Sequence, residues 1–149
     1  MRLALYQPDI PQNAGTLMRL AACLDVPVDL IGPAGFDFSD RAFRRAALDY
    51  LAHVDLIRHD SWDGFQAART GTASRLVLLT SKAPTEYLDF AFEPRDILLL
   101  GRESAGVPES VHAAADARIR IAIRRELRSL NVAVAGAMVL GEALRQLRR

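Results

Sequence analysis

Short apolar runs alternate with amphipathic stretches along most of this chain. Residues 3–6 read as a first strand, broken by Pro8 and Pro11. Residues 15–24 predict a helix, because Leu17, Leu20, Ala21 and Leu24 recur at three- and four-residue spacing on one face. Strands are expected over 28–31, closed by Gly32-Pro33, and over 54–57. Ser39-Asp40 offers a cap for a helix over 41–48, and a short helix fits 61–68. The runs at 76–79 and 97–100 are apolar throughout, as suits strands buried on both faces of a parallel sheet. Ile and Arg or Ala alternate over 119–123, the pattern of a half-exposed strand, and a last helix is expected over 131–148. Strand and helix in alternation predict an α/β fold with an open, mostly parallel sheet flanked by helices.

The 149 residues suit one domain, 1–149, with no linker, repeat or low-complexity segment. Half the residues are apolar and 25% charged, the balance of a globular protein. No apolar run approaches the roughly 20 residues that span a bilayer. The first residues do not read as a signal peptide, so a cytoplasmic protein without membrane contact is expected. The lone Cys23 excludes an internal disulfide. His53, His59 and His112 are scattered, so no metal site is expected.

Net charge is only +1, yet Lys82 is the single lysine among 19 basic residues. Arginine forks pair with phosphate and stack on bases. Arg41, Arg44 and Arg45 cluster, as do Arg118, Arg120, Arg124, Arg125 and Arg128, and these are candidate RNA contacts; a plain compositional bias toward arginine is the competing reading.

Familiar nucleotide and hydrolase signatures are missing. No G-x-G-x-x-G follows the first strand. Gly101 to Gly106 has the glycine spacing of a phosphate loop, but Val107-Pro108 stands where Lys-Ser/Thr is needed. No G-x-S-x-G elbow occurs.

Three segments remain. In Pro8-Asp-Ile-Pro-Gln-Asn13-Ala-Gly15-Thr-Leu-Met-Arg19 a stiffened loop enters a helix; alone, Asn13 reads as a helix cap and Arg19 as a solvated charge. In Leu98-Leu-Leu-Gly101-Arg-Glu103-Ser-Ala-Gly106-Val-Pro108 a buried strand enters a glycine-bearing loop, where open α/β sheets bind ligands. In Ile121-Ala-Ile123-Arg-Arg-Glu-Leu-Arg128-Ser129-Leu130-Asn131 a polar loop leads to two candidate caps, Ser129 and Asn131, of an Ala- and Gly-rich helix.

In this order the segments resemble the motifs of the SPOUT RNA methyltransferases that act on ribose 2′-hydroxyls. Arg44-Arg-Ala-Ala-Leu-Asp49-Tyr50 and Leu79-Thr-Ser-Lys82 make the chain similar to the tRNA (cytidine or uridine, wobble position) 2′-O-methyltransferases, from Leu3 onward. The resemblance implies a SPOUT fold with a C-terminal deep trefoil knot, S-adenosyl-L-methionine (SAM) as methyl donor, tRNA as substrate and a homodimer. It implies that Leu79, Gly101, Ile121, Ser129 and Leu130 line the cofactor pocket, Gly101 by lacking a side chain. Arg19, Asn13, Glu103 and Asn131 correspond to the polar residues near the reaction centre. Arg41, Arg44, Arg45, Arg124 and Arg128 are left for RNA. The chain departs from the subfamily pattern at Arg102, where proline is usual, at Ala105, where arginine is usual, and at Ala122.

Methyl transfer to a hydroxyl needs in-line approach, so positioning supplies much of the catalysis. Arginine stays protonated in proteins, so Arg19 is expected to stabilise the developing oxyanion and hold a phosphate, with water taking the proton. Asn13, Ser129 and Asn131 are expected to fix Arg19 and the ribose. The small residues of the last helix suggest close packing within the chain or against a second subunit. Competing readings are a 2′-O-methyltransferase for another tRNA position or rRNA, a catalytically silent RNA-binding protein of the same fold, and a small-molecule α/β enzyme.

Overall fold

A computed structural model describes residues 1–148. The elements in chain order are β1 (Arg2–Tyr6), α1 (Pro11–Leu24), β2 (Val28–Ile31), α2 (Arg41–Ala47), a 3-10 turn (Leu48–His53), β3 (Leu56–His59) and α3 (Trp62–Arg69). Then come β4 (Arg75–Leu79), β5 (Thr85–Glu86), a 3-10 turn (Tyr87–Asp89), β6 (Asp96–Leu100), α4 (Glu109–Ala114), β7 (Ala117–Arg120) and α5 (Val132–Leu147). The seven strands form one parallel sheet in the order β3-β2-β1-β6-β4-β7-β5. The α/β expectation holds. Among the described residues no helix is long and apolar enough to cross a membrane.

Side-chain alternation divides the core in two. Leu3, Leu5, Val77, Leu98 and Leu100 face α1, α2 and α5, packing on Leu17, Met18, Phe43 and Val139. Their neighbours Ala4, Tyr6, Leu76, Leu78, Ile97 and Leu99 face α3 and α4, against Phe65 and Val111. Burial on both faces explains why β6 is apolar almost throughout. Its first residue, Asp96, is fully buried but takes Arg75 Nε and Nη2 at 2.8 Å each, and the paired guanidinium is held more basic than usual by that carboxylate.

Several boundaries differ from the sequence expectation. Helix α1 begins at Pro11, because a proline at the first helical position gives up no needed donor. Asn13 is therefore inside the helix, and the cap position, Ile10, makes no side-chain bond. Asp40, Ser61 and Asn131 do cap their helices through side-chain oxygens, whereas Ser129 caps none. Strand β7 stops at Arg120, short of Ile123. Helix α4 and the two-residue β5 had no periodic signal.

Helix α5 returns from beyond β7 to lie on β6 and α1. A Cβ at Gly136 would meet Leu100 Cδ1 at 2.8 Å and Leu17 Cδ2 at 3.0 Å, so the missing side chain is what lets the helix approach. Gly141, by contrast, faces open space. The end of α5 is pinned by Gln146, which accepts from Phe92 N and donates to Phe90 O, each at 3.0 Å.

Candidate functional site

Beyond the carboxyl ends of β4 and β6 lies a cavity of about 360 Å³, inside the roughly 300–1,000 Å³ range of small-molecule sites. The loop after β6 forms one wall. Arg102 and Gly106 exchange two backbone hydrogen bonds of 2.9 Å, closing the loop on itself, and Gly106 takes a positive φ of 64°. A Cβ at Gly101 would stand 2.8 Å from the Gly106 carbonyl carbon. Gly101 is thus demanded by its own loop, which corrects the idea that it is there only to admit a ligand.

The β1–α1 loop is lashed to this wall. Asp9 Oδ1 accepts from Arg102 Nη2 at 2.6 Å and Nε at 3.1 Å, while Oδ2 accepts from Ser104 N at 3.2 Å and Oγ at 2.5 Å. The Asp9 N–H donates in turn to Glu103 Oε2 at 2.8 Å. Bonding to Arg102, and then to Ser104, holds the Asp9 carboxyl at about 2, well below its ordinary 3.8. Neither Asp9 nor this role for Arg102 was visible in the sequence, where the two stand 93 residues apart.

The opposite wall is the segment after β7. Asn131 Oδ1 accepts from Ala133 N and Val134 N at the start of α5, so its amide nitrogen is left to donate. It donates to Asn13 Oδ1 at 2.9 Å, and Asn13 Nδ2 donates to Glu103 Oε1 at 3.3 Å. Each group fixes the orientation of the next, and buried Asn13, only 8% exposed, is satisfied at both ends.

Leu79, Gly101, Glu103, Ile121, Ser129 and Leu130 all line the cavity, together with Asn13 and Asn131. These eight residues, singled out separately in the sequence, come together around this one cavity. Sequence reasoning missed Ile10, Thr80, Ser81, Val107, Ile123 and Ala135, which line it as well. Ile121 and Ile123 leave the sheet to furnish apolar wall, which is why β7 ends early. Glu103 is the single carboxylate among the lining residues, and Arg102, the single cation, is spent on Asp9. Such a cavity, apolar with an oriented amide–carboxylate rim, is built to hold and orient an organic ligand.

Arg19 is not in it. At about 3.6 residues per turn, six residues turn Arg19 some 120° around α1 from Asn13. Its exposed guanidinium lies 4.9 Å from the ring centroid of Tyr50. The expectation that Asn13, Ser129 and Asn131 fix Arg19 is therefore wrong within one chain. Arg41, Arg44 and Arg45 are exposed on α2, and Arg124 and Arg128 on the loop after β7; among the described residues none of the five makes an ion pair. Arg118 and Arg120 separate from that cluster, because Arg118 bonds the His112 carbonyl and Arg120 bonds Glu86.

A larger cavity, about 540 Å³, opens near the starts of β1 and β6 beside Arg2, Asp29 and His59. None of the residues expected at the cofactor, the reaction centre or the RNA lines it.

Residues 1–141 match the SpoU rRNA Methylase family. A tRNA (cytidine(34)-2′-O)-methyltransferase of Beijerinckia indica subsp. indica is 65% identical over 144 residues, which is 97% of this chain and 90% of the relative. A solved structure concerned with the 2-OH methylation of C/U34 on tRNA superposes with a TM-score of 0.93 at 42% identity, covering 99% of this chain and 95% of the other. An AdoMet-bound rRNA methyltransferase from Sinorhizobium meliloti superposes at 0.89 with 26% identity, over 98% of this chain and 56% of its own.

Proposed function

The chain belongs to the SpoU rRNA Methylase family, and from that premise we propose that it transfers a methyl group from SAM to the ribose 2′-hydroxyl of the wobble nucleotide, cytidine or uridine 34, of tRNA. The observation that carries the reading is the convergence of Asn13, Glu103 and Asn131 on a cavity walled by Leu79, Gly101, Ile121, Ser129 and Leu130. The cavity's volume, apolar walls and single carboxylate fit SAM, with its adenine face and positive charge. When bound, SAM supplies an electrophilic sulfonium methyl.

The chain's own residues then have the work of orientation. Leu79, Ile121 and Leu130 exclude water and grip apolar surface; the Asn131–Asn13–Glu103 relay holds the rim rigid. Arg19 stabilises the oxyanion forming on the ribose and steadies a phosphate, while water accepts the proton. Because Arg19 points away from the cavity of its own chain, it serves the cavity of a second subunit, and the functional unit is a homodimer. The exposed Val134 and Met138 of α5, beside Gly141, support that packing face. The arginines of α2 and of the 124–128 loop hold the tRNA backbone. The return of α5 across the cavity from β7 to β6 supports a C-terminal knot, and a tRNA substrate supports a cytoplasmic location.

Tritium transfer from labelled SAM to total tRNA, followed by mass mapping of the labelled nucleotide, tests the reading. Label at the ribose of nucleotide 34 is expected. Label elsewhere in tRNA or only in rRNA, or RNA binding without transfer, overturns it.

A further inference from the structure

We infer that Asp9 is a positioning residue for Glu103, and that the Asp9 clamp shapes the methyl-transfer cavity from outside it. The inference rests on the reading of that cavity given above. Asp9 does not line the cavity, yet it holds three successive residues that do or that flank it. Its side chain takes Arg102 and Ser104, and its backbone N–H takes Glu103 between them. With both neighbours tied to one carboxylate, Glu103 has little freedom to swing out of reach of Asn13. The platform itself is stiff: Pro8 and Pro11 flank Asp9 closely, and Pro8 O accepts from Gly35 N at 2.9 Å.

A bond set of this kind could merely stabilise the fold. The partially exposed Arg102–Asp9 pair is of the sort that contributes little to stability. It nonetheless joins the loop before α1 to the loop after β6 at the residues on either side of Glu103, which lines the cavity, and this makes control of Glu103 the larger effect.

The test is a double-mutant cycle on single-turnover methyl transfer to tRNA at saturating SAM and tRNA, with wild type, Asp9→Ala, Glu103→Gln and the double variant. Each single change is expected to slow transfer by about tenfold or more, and the double variant to be within about twofold of Glu103→Gln alone. Melting temperatures are expected to stay close together. Rate losses that multiply independently, or an Asp9→Ala rate equal to wild type, overturn the inference. Should Asp9→Ala fail to fold, Ser104→Ala takes its place, and its smaller loss must likewise vanish in the Glu103→Gln background. Failure of the wild type itself to transfer methyl refutes the proposed function instead, so the two failures are distinguishable.

Discussion

The side-chain amide of Asn131 donates to Asn13 Oδ1 at 2.9 Å, joining two helix starts 118 residues apart in sequence. The same Asn131 side chain caps α5, so its two jobs can be separated by chemistry. Asn131→Asp keeps the capping oxygen but turns an acceptor toward the Asn13 carbonyl, breaking the relay. Methyl transfer should fall while melting changes little. Asn131→Ala should lose both, with about 1 kcal/mol of stability gone with the cap. Thermal melts run beside single-turnover rates decide it; equal rates in wild type and Asn131→Asp dismiss the relay.

Arg19→Ala should lower the single-turnover rate by about 10²–10³, the usual cost of one oxyanion donor, with SAM affinity unchanged. Arg19→Lys should rescue poorly, since a point charge cannot hold two oxygens in one planar fork. If Arg19 works on the second subunit, mixing Arg19→Ala with Asn131→Asp chains should restore part of the lost activity. Light scattering should return twice the 16.4 kDa chain mass. A monomer, or no recovery on mixing, removes Arg19 from the neighbouring site. Arg44→Ala should instead weaken tRNA binding and flatten its salt dependence, with saturated turnover kept.

Gly101→Val is expected to lower both SAM affinity and melting temperature, because the new Cβ collides with the Gly106 backbone. Calorimetry and melting together check this. Lost affinity in a fully stable variant would return Gly101 to a direct ligand-contact role.

Asp9 gives a pH dependence whose sign follows from its lowered carboxyl pKa. The folded state favours the carboxylate, so the clamp's contribution is complete above about pH 4 and fades as pH falls through about 2. In Arg102→Ala the carboxyl should move back toward its ordinary value, so the acid-sensitive contribution should be smaller and its loss should end at higher pH. Carbon NMR titration of the Asp9 carboxyl measures the shift; identical midpoints in both proteins would mean Arg102 is not its cause.

Local pattern reveals what is locally determined. The apolar runs of β4 and β6 and the caps Asp40 and Asn131 are readable because burial and capping act over a few residues. The start of α1 was misjudged because Pro11 breaks a strand as readily as it opens a helix. Strand β7 was drawn too long because Ile121 and Ile123 look like strand residues yet face the cavity. At the site, motif resemblance named eight of the residues that line the cavity. The Asp9–Arg102 pair escaped because its partners lie 93 residues apart, and Arg102 looked only like a departure from the subfamily loop. The resemblance puts Arg19 and Asn13 in one motif, but six helical residues turn their side chains some 120° apart.

The Asn13–Asn131 bond also bears on how the protein is made. The first helix leaves the ribosome early, with Asn13 ready, but the wall that completes the cavity belongs to the last stretch of chain. Until α5 seats Gly136 between Leu17 and Leu100, the nascent chain has neither a closed core nor a complete cavity. A chain truncated before Asn131 therefore lacks both the last wall of the cavity and the helix that covers Leu17 and Leu100.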